Sequence, residues 1–118
     1  MKVAAAKYTI QAPESFEAFA ARLRQMLGDV AARGVGIAVL PEYLSLELAA
    51  TFGPEVRGDL ATSLAAIQRY RAPWLALFAD LARDTGMAIA AGTFLLDDGG
   101  GRYRNRADLL LPGGAHVW

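Results

Sequence analysis

The chain has no cysteine among its 118 residues, two lysines, one histidine and no net charge. The missing cysteine excludes disulfides, thiolate metal sites and a thiol nucleophile within these residues. Twelve basic side chains balance twelve acidic ones. That balance argues against a globally basic nucleic-acid binder and against a polybasic membrane segment. No apolar run approaches the length of a membrane span, and Met1-Lys2 leads straight into a strand-like segment rather than a signal peptide. A soluble, cytoplasmic protein is the expectation. What the chain has in excess is apolar material, 54% of its residues. That is more than a lone small domain buries, and it points to a further layer of structure packed on this one.

The apolar material is organised around one stretch. Val35 to Leu40 is a continuous, β-branched-rich run, the pattern of a strand buried on both faces. Pro41 cannot donate to a sheet ladder, so the strand ends there, and the next residue is Glu42. A carboxylate is thereby placed at the C-terminal tip of a buried strand, where open α/β sheets bind ligands. Taken from position alone, a solvated loop residue is the commoner reading of such a glutamate.

Around this stretch the elements follow in order. Lys2 to Ile10 is strand-like. Ser15 is a candidate helix N-cap, and Phe16, Phe19, Ala20, Leu23, Met26, Leu27 and Val30 recur at helical spacing, with Arg22, Arg24 and Asp29 turned toward water. Strand, helix and strand make a βαβ unit with parallel pairing. Leu44 to Ala50 reads as a short helical turn, Asp59 as the cap of a helix carrying Leu60, Leu64 and Ile67. A further helix runs from about Pro73 to Gly86 with Leu75, Phe78, Leu81 and Ala82 inward. Met87 to Leu96 is a second apolar strand. Asp97 to Gly101 is a turn, Arg102 to Leu111 a strand, Pro112 to Gly114 another turn, and Ala115 to Trp118 begins one more strand. Such short turns give antiparallel neighbours, so the sheet is mixed, with helices on one face.

The string Leu40-Pro41-Glu42-Tyr43 after an apolar strand resembles the first signature of the nitrilase superfamily of carbon–nitrogen hydrolases. The strand closing on Gly92-Thr93 is similar to that family's strand ending in Gly-Ser or Gly-Thr. Tyr103, Asn105 and Ala107 with the Pro112-Gly113-Gly114 turn resemble its Tyr-Asn-x-Ala strand and Pro-x-Gly turn, although Arg104 here separates Tyr103 from Asn105. The resemblance implies an α/β fold forming part of an αββα four-layer sandwich. It also implies a homo-oligomer, no cofactor, and hydrolysis of small amides, nitriles or carbamoyl compounds by a Glu-Lys-Cys triad. Glu42 matches the general base, which takes the thiol proton and hands it to the leaving amine. A partly buried carboxylate suits that role. Lys2 and Lys7 match no family position and cysteine is absent, so residues 1–118 read as the N-terminal portion of a single hydrolase domain, inactive alone.

Other residues carry weaker chemistry. Gly34-Val35-Gly36 precedes its strand, so it is no dinucleotide-binding loop, and Gly99 to Gly101 lacks the Lys-Ser/Thr of a P-loop. A doubly wound nucleotide-binding domain therefore lacks its glycine-rich turn. Arg102, Arg104 and Arg106 alternate onto one strand face, read as solvated, with Tyr103 and Asn105 on the other. Asn105 is expected to tie down backbone near the site, His116 to be a surface residue without a metal motif, and Glu47 to lie off the face of Glu42. The alternative to a hydrolase is a non-catalytic α/β binding or regulatory module on the same scaffold.

Overall fold

The computed structural model describes residues 1–117, and Trp118 lies outside the described residues. Five strands form one sheet in the order β1 (Lys2–Ala5), β2 (Val35–Val39), β3 (Ala88–Asp97), β4 (Tyr103–Leu110), β5 (His116–Val117). The β1/β2 and β2/β3 pairs are parallel, and β3/β4 and β4/β5 antiparallel. The mixed α/β sheet expected from the short turns is present, with β3 at its centre.

Helix α1 (Phe16–Ala31) crosses from β1 to β2, started by Ser15, whose hydroxyl accepts from the Ala18 N–H at 3.0 Å. Its stripe of Phe19, Leu23 and Leu27 is buried. Arg22, expected in water, instead reaches Glu47. After β2 come a 3₁₀ helix (Leu44–Thr51), α2 (Pro54–Arg57), α3 (Leu60–Ile67), a 3₁₀ turn (Gln68–Tyr70) and α4 (Arg71–Thr85). Asp59 caps α3 by accepting from the Thr62 N–H. Pro73 sits in the first turn of α4, where a missing N–H costs nothing. In α3 the buried face carries Ser63 and Ile67, with Ser63 donating to the Val56 carbonyl, whereas Leu60 is exposed.

The helices cover one face of the sheet. There Ala38, Ile89, Ala91, Phe94 and Leu110 join Phe19, Trp74 and Phe78 in the core. Trp74 lies between Phe19, Phe78 and Phe94 at ring-centroid distances of 5.8, 4.9 and 5.4 Å. Burying rings of this size supplies roughly 2–3 kcal/mol each before entropy is counted.

The other face is open, which corrects the expectation that Val35 to Leu40 is buried on both sides. Ala38 and Leu40 are buried while Val39 is 39% exposed. Register aligns Ala5, Val39, Ala90, Leu109 and Val117 across all five strands on that face. β1 also ends sooner than expected, at Ala5 rather than Ile10. Its partner strand stops before Pro41, so the last bond between them is Ala6 N–H to the Val39 carbonyl, 2.9 Å. Tyr8 and Ile10 then leave the sheet and lie toward the 3₁₀ helix.

Candidate active site

Pro41 ends the β2 ladder for want of an N–H, one residue after the Leu40 N–H has bonded the Ala90 carbonyl at 2.9 Å. Glu42 follows at the tip, and Tyr43 then takes the left-handed conformation, φ 63°, the one positive φ of a non-glycine residue among the described residues. A tyrosine so placed costs about 1–2 kcal/mol, which the surroundings must offset. The Tyr43 N–H donates to Thr93 Oγ1 at 2.7 Å, and Ser45 Oγ accepts from the Leu95 N–H at 3.2 Å. Both anchors lie on β3 beyond its irregularity between Ala90 and Thr93. Gly92 is required there. Its φ is 70°, and a Cβ would stand 2.2 Å from the Pro41 carbonyl oxygen.

From β4, Asn105 Nδ2 donates to Glu42 Oε1 at 2.6 Å. Asn105 therefore holds the carboxylate itself, where backbone anchoring was expected. Leu40-Pro41-Glu42-Tyr43, Gly92-Thr93 and Asn105, separate in the chain, converge at one point. Glu42 is exposed rather than partly buried, because the described residues leave the space above the strand tip open.

Beside Glu42 lies an open cavity of about 680 Å³. Tyr43, Leu46, Glu47, Ile10, Gln11 and Leu60 are among the residues that line it. It presents one exposed carboxylate in largely apolar surroundings, the composition of a small-molecule site. The arrangement can orient a carboxylate toward a ligand and accept a proton from it. Among the described residues no three His, Asp or Glu side chains are grouped to hold a metal ion.

Other residues singled out in the sequence lie elsewhere. Lys2 bonds the Arg33 carbonyl at 3.0 Å, and Arg104 pairs with Asp98 at 2.7 Å. His116 is an exposed residue of β5, as expected, and it has a partner. Its Nε2 lies 2.7 Å from Asp108 Oδ1, and Asp108 also binds Arg71 at 2.7 and 3.1 Å. Arg106, read as solvated, is drawn to the same carboxylate at 3.7 Å. Burial pushes the Asp108 carboxyl up, but hydrogen bonds and charge from Arg71 and His116 outweigh it and hold the group below its ordinary value.

Glu47, expected off the face of Glu42, lines the same cavity. It is buried in the 3₁₀ helix and held by Tyr8, Gln11 and Arg22. Its burial pushes its carboxyl above the ordinary value, against the pull of the Gln11 N–H and Arg22. The available signal was a lone carboxylate between Leu46 and Leu48, which a packed apolar segment tolerates only if paired.

These features define an α/β sheet with an oriented carboxylate at a strand tip. No protein-family model and no curated protein sequence matches the chain. In three dimensions it is similar to the crystal structure of a carbon-nitrogen hydrolase from Helicobacter pylori G27, with a TM-score of 0.63 and 17% identity over 98% of this chain. The chain spans 37% of that protein's length. At this identity the likeness establishes a shared fold. Among the described residues no helix is long and apolar enough to cross a membrane.

Proposed function

We propose that this chain is the N-terminal portion of a hydrolase acting on non-peptide carbon–nitrogen bonds, with Glu42 as its general base. The observation that carries the reading is the convergence on Glu42. The turn that bears it is pinned by Thr93 and made possible by Gly92, and its Oε1 is held by Asn105. Such fixing of one carboxylate at the rim of a cavity is what proton transfer at a bound ligand needs. Glu42 takes a proton from the nucleophile and returns it to the departing amine. The chain holds no cysteine. The thiol and the lysine of a Glu-Lys-Cys mechanism therefore come from outside these 118 residues, and the chain alone is inactive. Small amides, nitriles or carbamoyl compounds suit a cavity of this size. The open apolar sheet face supports a second sheet packed on it, as in an αββα sandwich, and subunit pairing beyond that.

The test is ammonia release from a panel of small amides and nitriles by the full-length protein, with Glu42→Gln as the control. A loss of at least about 10³-fold in kcat with the fold retained supports the base. Equal turnover by both forms removes Glu42 from the chemistry. Binding without turnover by either form favours the non-catalytic module, for which the preformed cavity already suffices.

A further inference from the structure

Glu47 stands five positions after Glu42, on the 3₁₀ helix that forms one side of the cavity. Its side chain is fully buried. Oε1 accepts from the Tyr8 hydroxyl at 2.9 Å and from Arg22 Nη2, and Oε2 accepts from the Gln11 backbone N–H at 3.2 Å. Arg22 in turn lies over the Tyr8 ring, 4.9 Å from its centroid. A carboxylate withdrawn from water persists only when its oxygens are bonded this fully.

What these bonds hold is informative. Residues 6–15 between β1 and α1 form no helix or strand. Within them Ile10 is 62% exposed and Gln11 is exposed, so neither adds to the core. Both line the cavity beside Glu42. Glu47 grips the segment on each side of Ile10, at Tyr8 and at Gln11. Buried ion pairs are poor sources of stability, and their best use is to fix one geometry among several.

We propose that Glu47 is a positioning residue. Through Tyr8 and Gln11 it fixes Ile10 and Gln11 as part of the wall of the cavity beside Glu42, and so sets which substrates fit. The proposal rests on the reading that this cavity is the hydrolytic site. Residues on the wall contact the part of the substrate remote from the reacting bond. Loosening them costs binding in ground and transition states alike, which raises KM and leaves kcat in place.

The experiment compares Tyr8→Phe and Glu47→Gln with the parent in the full-length protein. Tyr8→Phe keeps the ring and removes one bond, so it covers the case in which Glu47→Gln fails to fold. Two readouts are taken, steady-state kinetics on amides of increasing acyl length and hydrogen exchange at the Gln11 amide. The expected result for Tyr8→Phe is a rise in KM of about tenfold with kcat within about twofold, and a flattened preference among acyl lengths. Gln11 exchange should quicken by about tenfold while core amides keep their protection. A fall in kcat that tracks the folded fraction, with KM and length preference unmoved, overturns the proposal. If the parent hydrolyses nothing on the panel, the hydrolase reading fails separately and exchange decides. Loss of protection confined to residues 8–12 sustains Glu47 as the anchor of the wall, and unchanged or uniformly lost protection refutes it.

Discussion

Asn105 Nδ2 and Glu42 Oε1 are 2.6 Å apart, although 63 residues separate them in the chain. The amide comes from a strand in the antiparallel half of the sheet and the carboxylate from the tip of a parallel strand. Their meeting depends on β3, which pairs with both β2 and β4. A hydrogen bond to a charged group contributes about 1.5–3 kcal/mol. On the proposed hydrolase reading, Asn105→Ala in the full-length protein should therefore lower kcat/KM by about 10- to 100-fold with little change in melting temperature. Asn105→Asp should cost more, because it sets a second negative charge against Glu42. Kinetics and thermal melts on the two variants check this, and activity equal to the parent in both would separate Asn105 from the site.

Gly92 supports the same turn from beneath. At φ 70° a side chain is disfavoured, and a Cβ would meet the Pro41 carbonyl oxygen at 2.2 Å. Both partners of that contact are backbone, so neither can swing aside. Gly92→Ala should destabilise the chain by at least about 2 kcal/mol, strain and displacement together. The displaced carbonyl precedes Glu42, so activity should fall further than stability alone explains. Urea unfolding alongside kinetics measures the two separately.

Part of this was legible in residues that carry their own instructions. Pro41 announced the end of β2 and so the placing of Glu42. Ser15 and Asp59 announced helix starts because their side chains cap from local geometry. The turn residues between β3 and β4 announced an antiparallel pair. What escaped was set by partners distant in sequence. β1 ends at Ala5 because β2 runs out, not because of anything in residues 6–10. Arg22 and Glu47 are 25 positions apart, and Arg71 and Asp108 are 37 apart, so no local pattern joins them. A strand as apolar as Val35–Leu40 reads as doubly buried whether or not its second covering layer is present.

The open face of the sheet makes a prediction about the 118-residue chain by itself. Val3, Val39 and Val117 are 62%, 39% and 51% exposed, and Ala5, Ala90 and Leu109 continue the apolar surface between them. Contiguous apolar surface of this kind drives association. The chain should self-associate at micromolar concentration and bind a hydrophobic dye, and Val39→Lys should reduce both by breaking the centre of the patch. Sedimentation and dye titration on parent and variant provide the check. A monomeric parent with no dye binding would contradict the claim that this face is made for a covering layer.

Asp108 governs how the far end of the sheet responds to acid. Its side chain is 1% exposed and faces Arg71, His116 and Arg106, which tie α4 and β5 to β4. Burial disfavours its charge, but Arg71 and His116 favour it by more, so the folded chain holds the carboxyl below its ordinary value. Below the ordinary aspartate value of about 3.9, the unfolded chain takes up the proton first. Stability from this group is therefore complete above about pH 4 and is lost as pH falls through the lower, folded value. Asp108→Asn should cost about 3 kcal/mol at neutral pH, since it leaves Arg71 buried against a neutral partner. The gap between parent and variant should narrow as acid protonates the parent's carboxylate. Urea unfolding of both proteins from pH 7 to about pH 2 measures that gap. A gap that stays constant across the range would mean that shape and packing, rather than the charge of Asp108, hold this corner together.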